Sequence, residues 1–313
     1  MKRSTFLRAA PLLLAGSCAT TTANQPTRTS LTVGSHTQTA DQPHPPNNYW
    51  FATGDGSVVI DAHWRLSTAR TVLEKMRAAG LSTPRYLILT HDHTDHYGGS
   101  PVLRRAGAAV LASPLTRLSI KNDAYGFQRG RRELFGEDFP ATPPVVDRTV
   151  NDGEALRVGN YTLRFHDRPA NEATTTTLVE VENTDALFVG DFVYDRFYAI
   201  FDEGLNGLYL WRQQLAAVRA SFGEHTFYPG HGTPRRGRDI IDAQLRFLDF
   251  FGAAAEDLLD RGQPVTDAVV TRVAAEARRA FPDYRTVIGL EQPAMVRQSL
   301  AWLVAELDRQ VEG

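Results

Sequence analysis

Arg85-Tyr86-Leu87-Ile88-Leu89-Thr90-His91-Asp92-His93-Thr94-Asp95-His96 joins an apolar run to three imidazoles and two carboxylates. A buried strand that ends in such a cluster aims several metal-ligating side chains into one small volume. Paired histidines are typical ligands of Zn(II) and Fe(II). A polar loop that merely caps a helix through Thr90 or Asp92 would need one such residue, not five.

Three more segments farther along the chain carry ligand-type residues. Glu172 stands in Arg168-Pro169-Ala170-Asn171-Glu172, Asp191 ends Leu187-Phe188-Val189-Gly190-Asp191, and His231 lies in Tyr228-Pro229-Gly230-His231-Gly232. In the opening run and around Asp191 and His231, an apolar strand stops and a ligand-type residue stands on the turn. Glycine beside it lets the backbone approach a shared centre.

The surrounding pattern is mixed α/β. Tyr49 to Ala52 and Ser57 to Ile60 flank Gly54-Asp55-Gly56, a hairpin signal. A helical pattern over Thr68 to Ala79 stops at Gly80, and strands are expected at Arg85 to Leu89 and Ala108 to Ala112. From Val145 the chain is strand-rich, with Ala155 to Val158, Tyr161 to Phe165, Thr176 to Val181 and Ala186 to Val189. A helix over Leu208 to Ala220, a strand over Thr226 to Tyr228 and a helical tail from Arg238 complete it. Two β-rich halves, each followed by helices, predict a sandwich of two sheets with helices on the outer faces. Residues 113–140 are less regular and read either as a lid beside the motif loop or as a surface helix pair.

Taken together and in this order, the His-x-His-x-Asp-His run, Gly-Asp and Pro-Gly-His-Gly resemble the metallo-β-lactamase superfamily of metal-dependent hydrolases, over about residues 47–235. The resemblance implies a four-layer αβ/βα sandwich with a two-metal site at the edge between the sheets. It implies that His91 and His93 hold a first metal, that Asp95, His96 and His231 hold a second, and that Asp191 bridges them. Asp92 is not a ligand in this pattern. The family usually has a further histidine about twenty residues before the Gly-Asp aspartate. Glu172 occupies that slot here, as in some alkylsulfatase-like members, and His166 is the alternative ligand. A carboxylate there makes the first site harder, which favours Mn(II) or Fe(II) relative to Zn(II), the ion otherwise expected at both positions.

Two such cations lower the pKa of a shared water from 15.7 to roughly 7. Hydroxide would then attack a carbonyl, phosphoryl or sulfuryl centre, with Asp95 orienting the nucleophile and shuttling a proton. A small ester, lactone, amide or sulfate-type substrate is expected. The folded part has no cysteine, which places the site nearer the glyoxalase II and lactonase arrangement than a Cys-ligand β-lactamase. Two other classes remain in view: a metal-binding lipoprotein without turnover, and an oxidoreductase on the same fold. The flavodiiron form of the latter is disfavoured, because its pattern has Glu where this chain has His93 and because a flavin domain is absent.

The bulk properties permit all of this. The chain has 313 residues, 42% hydrophobic and 22% charged, with a formal net charge of −2. That balance offers no basic field for nucleic acid. Residues 1–17 read as an export signal, with Lys2, Arg3 and Arg8 ahead of the short apolar region Ala9 to Gly16. Cys18, the only cysteine, stands where a lipoprotein signal is lipidated. Ala15 replaces the more usual Leu of a lipobox, so simple cleavage, for instance after Ala23, is the alternative. A periplasmic or membrane-anchored bacterial lipoprotein is the expected location, touching membrane only through that anchor. Residues 18–46 are expected to be a disordered tether in which His36 and His44 are solvated, 47–235 the metal-binding domain, and 236–313 a helical extension. Among the other histidines, His63 and His225 are expected at the surface. Asp61 is expected near the site in a structural role, and Tyr194, Arg196 and Tyr198 are candidate substrate contacts or packing residues.

Overall fold

The computed structural model describes residues 28–37, 45–81, 83–124, 126–199, 201, 207–286 and 291–312. The export signal, Cys18 and His44 lie outside the described residues.

Two six-stranded sheets are formed among the described residues. The first runs β1 (Gly34–Thr37), β2 (Asn47–Ala52), β3 (Ser57–Ile60), β4 (Pro84–Ile88), β5 (Ala109–Ala112) and β6 (Arg148–Thr149) in spatial order. β1 to β3 pair antiparallel and β3 to β6 parallel. Its crossovers carry α1 (Leu66–Ala78), α2 (Thr94–Tyr97), α3 (Ser100–Arg105), α4 (Pro114–Asn122) and α5 (Phe127–Phe135). The second sheet has β7 (Ala155–Val158), β8 (Tyr161–Pro169), β9 (Thr175–Val181), β10 (Ala186–Gly190), β11 (Thr226–Pro229) and β12 (Arg235–Arg236), with β7 and β12 at its edges. α6 (Gly207–Phe222) crosses between β10 and β11, and α7 (Gly237–Asp260), α8 (Asp267–Ala280) and α9 (Gln292–Glu312) follow.

Period-two alternation of apolar residues builds the layers. Phe51, Val58, Ile60, Ile88 and Leu111 point inward and meet Phe165, Val179, Val181 and Phe188 of the other sheet. Their neighbours Trp50, Val59, Leu87 and Val110 point outward and bury Val72, Met76 and Leu103 of α1 and α3. On the far side, Leu178, Leu187, Val189 and Phe227 are covered by α6 and the three C-terminal helices, through Trp211, Phe247, Phe251, Val273 and Leu303. The result is the expected αβ/βα sandwich, with the helical extension closing the outer face of the second sheet.

The expected tether differs in part. β1 pairs with β2, Gly34 opposite Trp50 and His36 opposite Asn48, and Leu31 is buried in the inner core. An edge strand gains its stability from backbone hydrogen bonds to one neighbour, so it needs no apolar periodicity to form. His36 accordingly is not simply solvated: its Nδ1 lies 2.8 Å from Lys75 Nζ.

The strand ends converge along one seam. Thr177 N of β9 donates to Thr90 O at 2.8 Å, Asp61 N donates to Ile88 O at 2.9 Å, and Gly230 N donates to Gly190 O at 2.7 Å. These bonds bring the three ligand-bearing turns after β4, β10 and β11 together.

Candidate metal centre

All seven expected ligands meet at this seam, in two groups. His91, His93, Glu172 and Asp191 form one, and Asp95, His96 and His231 the other. Within each, one possible ligand atom per residue lies within 4.8 Å of the rest. Glu172 faces both histidines of its group, with Oε1 3.3 Å from His91 Nε2 and Oε2 3.3 Å from His93 Nδ1. His231 Nε2 is 3.1 Å and His96 Nε2 3.5 Å from Asp95 Oδ2. Asp191 Oδ2 stands between the groups, 3.9 Å from His91 Nε2, 3.5 Å from His96 Nε2 and 3.3 Å from His231 Nε2.

Local structure explains the placement. β4 ends at Ile88, and the short helix α2 begins one residue after His93, turning Asp95 and His96 back toward the seam. Asn171 folds its own loop: Oδ1 accepts from Glu172 N at 2.9 Å and from Thr176 Oγ1 at 2.8 Å, which fixes the Glu172 backbone. Gly230 is required by crowding. A Cβ there would lie 1.9 Å from Asp191 Oδ1 and 2.7 Å from His96 Cε1.

A second set of residues orients the first. Asp61 Oδ2 lies 2.8 Å from His96 Nδ1, and Asp61 Oδ1 accepts Thr90 N at 2.8 Å. Thr90 Oγ1 is 2.9 Å from His91 Nδ1. Both rings thus have their Nδ1 occupied and their Nε2 aimed into the site, the usual arrangement behind a metal-ligating histidine. Asp61 adopts φ 59° to do this, a strain that the sequence alone does not reveal.

The electrostatics are those of a charge cluster closed off from water. Burial favours the neutral form of Glu172 and the nearby Asp191 carboxylate reinforces it, so its pKa is raised well above the carboxylate range. Burial also opposes charge on Asp95 and Asp191, yet in each case the neighbouring histidines outweigh it and hold the carboxyl well below its usual value. His96 is pulled toward neutrality by burial, but Asp191, Asp95 and Asp61 together raise its pKa well above the ordinary value. His231 is raised to about 9 against the same burial, chiefly by Asp191. Protons therefore sit where divalent cations would displace them.

The donor set fits such cations on its own geometry. His91 Nε2, His96 Nε2, both Glu172 oxygens and Asp191 Oδ1 are buried without a hydrogen-bond partner. Buried polar groups are rarely left in that state, and imidazole plus carboxylate is the donor chemistry of Zn(II), Mn(II) and Fe(II). Glu172→Gln is expected to lower the occupancy of one metal selectively, read as ions per chain after dialysis. Equal occupancy of both positions would mean that another residue completes the first group.

His166 is not that residue here. It lies on β8 one residue after inward-facing Phe165, so period two turns it away from the core; its Nε2 is 2.9 Å from Glu180 Oε2 and its ring packs on Phe222. Two surface expectations are corrected. His63 is buried, with Nε2 3.0 Å from His36 O, a contact created by the β1 pairing. His225 is buried too, packed on Phe222, with Nδ1 3.3 Å from Arg28. Tyr198 packs against Phe247 and receives Gln292 Nε2 at 2.6 Å, while Arg196 is exposed. Tyr194 is the stronger candidate of the three: it stacks on His231 at 5.8 Å, and its hydroxyl shares the buried site with Glu172. Burial and the Asp191 and Glu172 carboxylates push its pKa well up, keeping the phenol protonated.

With the geometry in hand, comparison with known proteins is direct. The sequence model of the Metallo-beta-lactamase superfamily matches residues 41–253, and the chain belongs to that superfamily. Members of this superfamily are mostly hydrolases. An uncharacterised protein of Mycobacterium leprae (strain TN) is 24% identical over 200 residues, covering 63% of this chain and 88% of the relative. A hydroxyacylglutathione hydrolase of Polaromonas sp. (strain JS666) is 28% identical over 214 residues, covering 66% and 68%. Among solved structures, the stereoselective inverting sec-alkylsulfatase Pisa1 from Pseudomonas sp. shares the fold with a TM-score of 0.61 at 16% identity, over 83% of this chain and 47% of that one.

Proposed function

We propose that the chain is an exported hydrolase acting on a small ester, lactone, amide or sulfate-type substrate with two divalent cations, Zn(II) foremost. The observation that carries this reading is Asp191 Oδ2, placed within 3.9 Å of three imidazole nitrogens that belong to two separate donor groups. His91, His93 and Glu172 would hold one ion, Asp95, His96 and His231 the other, and Asp191 would touch both. Bound there, the ions would supply an activated water and polarise the scissile bond.

The chain's own groups do the rest. Asp95, beside His231 and His96, would orient the attacking water and accept its proton. Tyr194 keeps its phenolic proton and would donate a hydrogen bond to the oxygen that gains charge in the transition state. Asp61 and Thr90 hold the His96 and His91 rings in register. The similar proteins from Polaromonas and Pseudomonas, a hydroxyacylglutathione hydrolase and a sec-alkylsulfatase, span the ester and sulfate ends of the proposed range.

The test is a substrate panel of thioesters, lactones, β-lactams, aryl esters and alkyl sulfates against the metal-loaded full chain. Turnover of one class, lost on chelation and restored by Zn(II) or Mn(II), is expected. Tight metal binding with no hydrolysis of any member would instead indicate a metal-binding protein. The export part of the proposal rests on the residue 1–18 pattern, and a mass spectrum of the cell-envelope fraction reads it directly.

A further inference from the structure

α5 stands beside His93, the most exposed ligand side chain of the site. Of the seven ligand side chains, His93 is 12% exposed and the other six are 7% exposed or less. The site therefore opens beside His93. Phe127, at the start of α5, lies over that opening with its ring 6.1 Å from the His93 ring. Phe127 is itself 37% exposed, an aromatic face left in reach of solvent.

Arg131, one helical turn later, shares this face of α5. Its guanidinium lies 4.5 Å over the Trp64 ring and 5.9 Å from the Phe127 ring, and its Nε is 3.4 Å from the hydroxyl of Thr94, between His93 and Asp95. The cation is thus fixed in position by an aromatic stack and by the motif loop. It is also half-buried, yet among the described residues no carboxylate forms an ion pair with it. Its neighbours on the helix differ. Arg129 is fully out in solvent and pairs with Glu133, and Arg132 donates to Phe139 O. Burial disfavours the Arg131 charge, and the Asp95 carboxylate, acting from beyond ion-pair distance and shared with the donor groups, offsets this only in part; a direct anionic partner would offset the rest. Three carboxylates inside the ligand set would offset much of the field of two divalent cations, so the metals alone give an anionic ligand little net attraction.

We propose that α5 is the specificity element of the site: Arg131 anchors a compact oxyanion, carboxylate or sulfur oxyanion, on the ligand, and Phe127 packs the apolar group next to it. The preferred substrates would then be amphiphilic monoanions. This rests on the hydrolase reading for the word substrate, but the binding itself can be read without turnover.

The experiment compares hexane-1-sulfonate with its uncharged counterpart hexyl methyl sulfone, by calorimetric titration of the metal-loaded full chain, with heptanoate against the non-hydrolysable ketone octan-2-one as the carboxylate arm. The native protein is expected to prefer the anion by about ten- to a hundredfold, the size of one charge-assisted hydrogen-bonded contact. Arg131→Gln should bring that preference close to one. Arg131→Lys should restore part of it, since it keeps the charge and loses the flat fork. Arg129→Gln should retain it, although it removes the same charge from the same helix. Phe127→Ala should weaken the anion and its neutral counterpart by similar factors. Which arm shows the larger Arg131-dependent preference identifies the oxyanion. Equal preference in native and Arg131→Gln protein, with matched melting temperature and metal content, would overturn the proposal. So would an equal loss in Arg129→Gln, which would indicate a diffuse field. Should Arg131→Gln fail to fold, an undiminished anion preference in Arg131→Lys, with native metal content, would count against the proposal in the same way. An Arg131-dependent preference in a protein that hydrolyses nothing would sink the hydrolase reading and leave this one standing.

Discussion

Replacing Asp191 by Ala is expected to cost the protein both metals and to lower kcat/KM by about 10³-fold or more, or roughly 4 kcal/mol of transition-state stabilisation. The expectation follows from one oxygen. Asp191 Oδ2 is the carboxylate atom that faces His91 in one donor group and His96 and His231 in the other. Loss of Glu172 would leave the second group of three donors whole, whereas loss of Asp191 disturbs both. It also removes the charge that chiefly supports protonation of His231. Metal content measured by mass spectrometry, alongside kcat/KM, checks this. Two ions per chain in the Asp191→Ala protein would refute the bridging role.

Asp95→Ala should leave the fold nearly intact while reducing kcat by about 10²–10⁴-fold, the range of a positioned general base. Asp95 sits on the short α2 turn, where its Oδ2 contacts His231 at 3.1 Å and His96 at 3.5 Å. Among the described residues its side chain bonds to His231, outside the strands of both sheets, so the layers do not depend on it. Asp95→Asn keeps the shape and one coordinating oxygen but cannot accept a proton. It should therefore retain more metal than Asp95→Ala and remain slow. A melting temperature close to native with unchanged kcat would remove Asp95 from the mechanism.

Much of the architecture is written in local pattern. Strands such as Ser57–Ile60 and Ala186–Gly190 are apolar on both faces and end at glycine or a polar turn, and each appears where expected. The ligand set is legible for the same reason: each ligand-bearing turn follows a recognisable strand. Glu172 could be preferred to His166 by spacing, and the alternation of β8 supplies the physical reason, since Phe165 points inward and His166 cannot.

What escaped depends on contacts distant in sequence. β1 exists because β2 offers it a free edge, and its polar residues carry no sign of that. Once β1 is in place, the carbonyl of His36 covers His63, a residue with φ 61° that sequence patterning would put on the surface. The role of α5 was open for a similar reason. Its position over His93 is set by Trp64, which holds Arg131 and Phe135, more than sixty residues away in the chain.

Anomalous scattering from crystals of the metal-loaded full chain tests the central claim most directly. Two peaks are predicted, one bounded by His91, His93 and Glu172 and one by Asp95, His96 and His231, with Asp191 between them and ligand atoms at about 2.0–2.2 Å. A single peak, or a first-site shell completed by His166 in place of Glu172, would contradict the account.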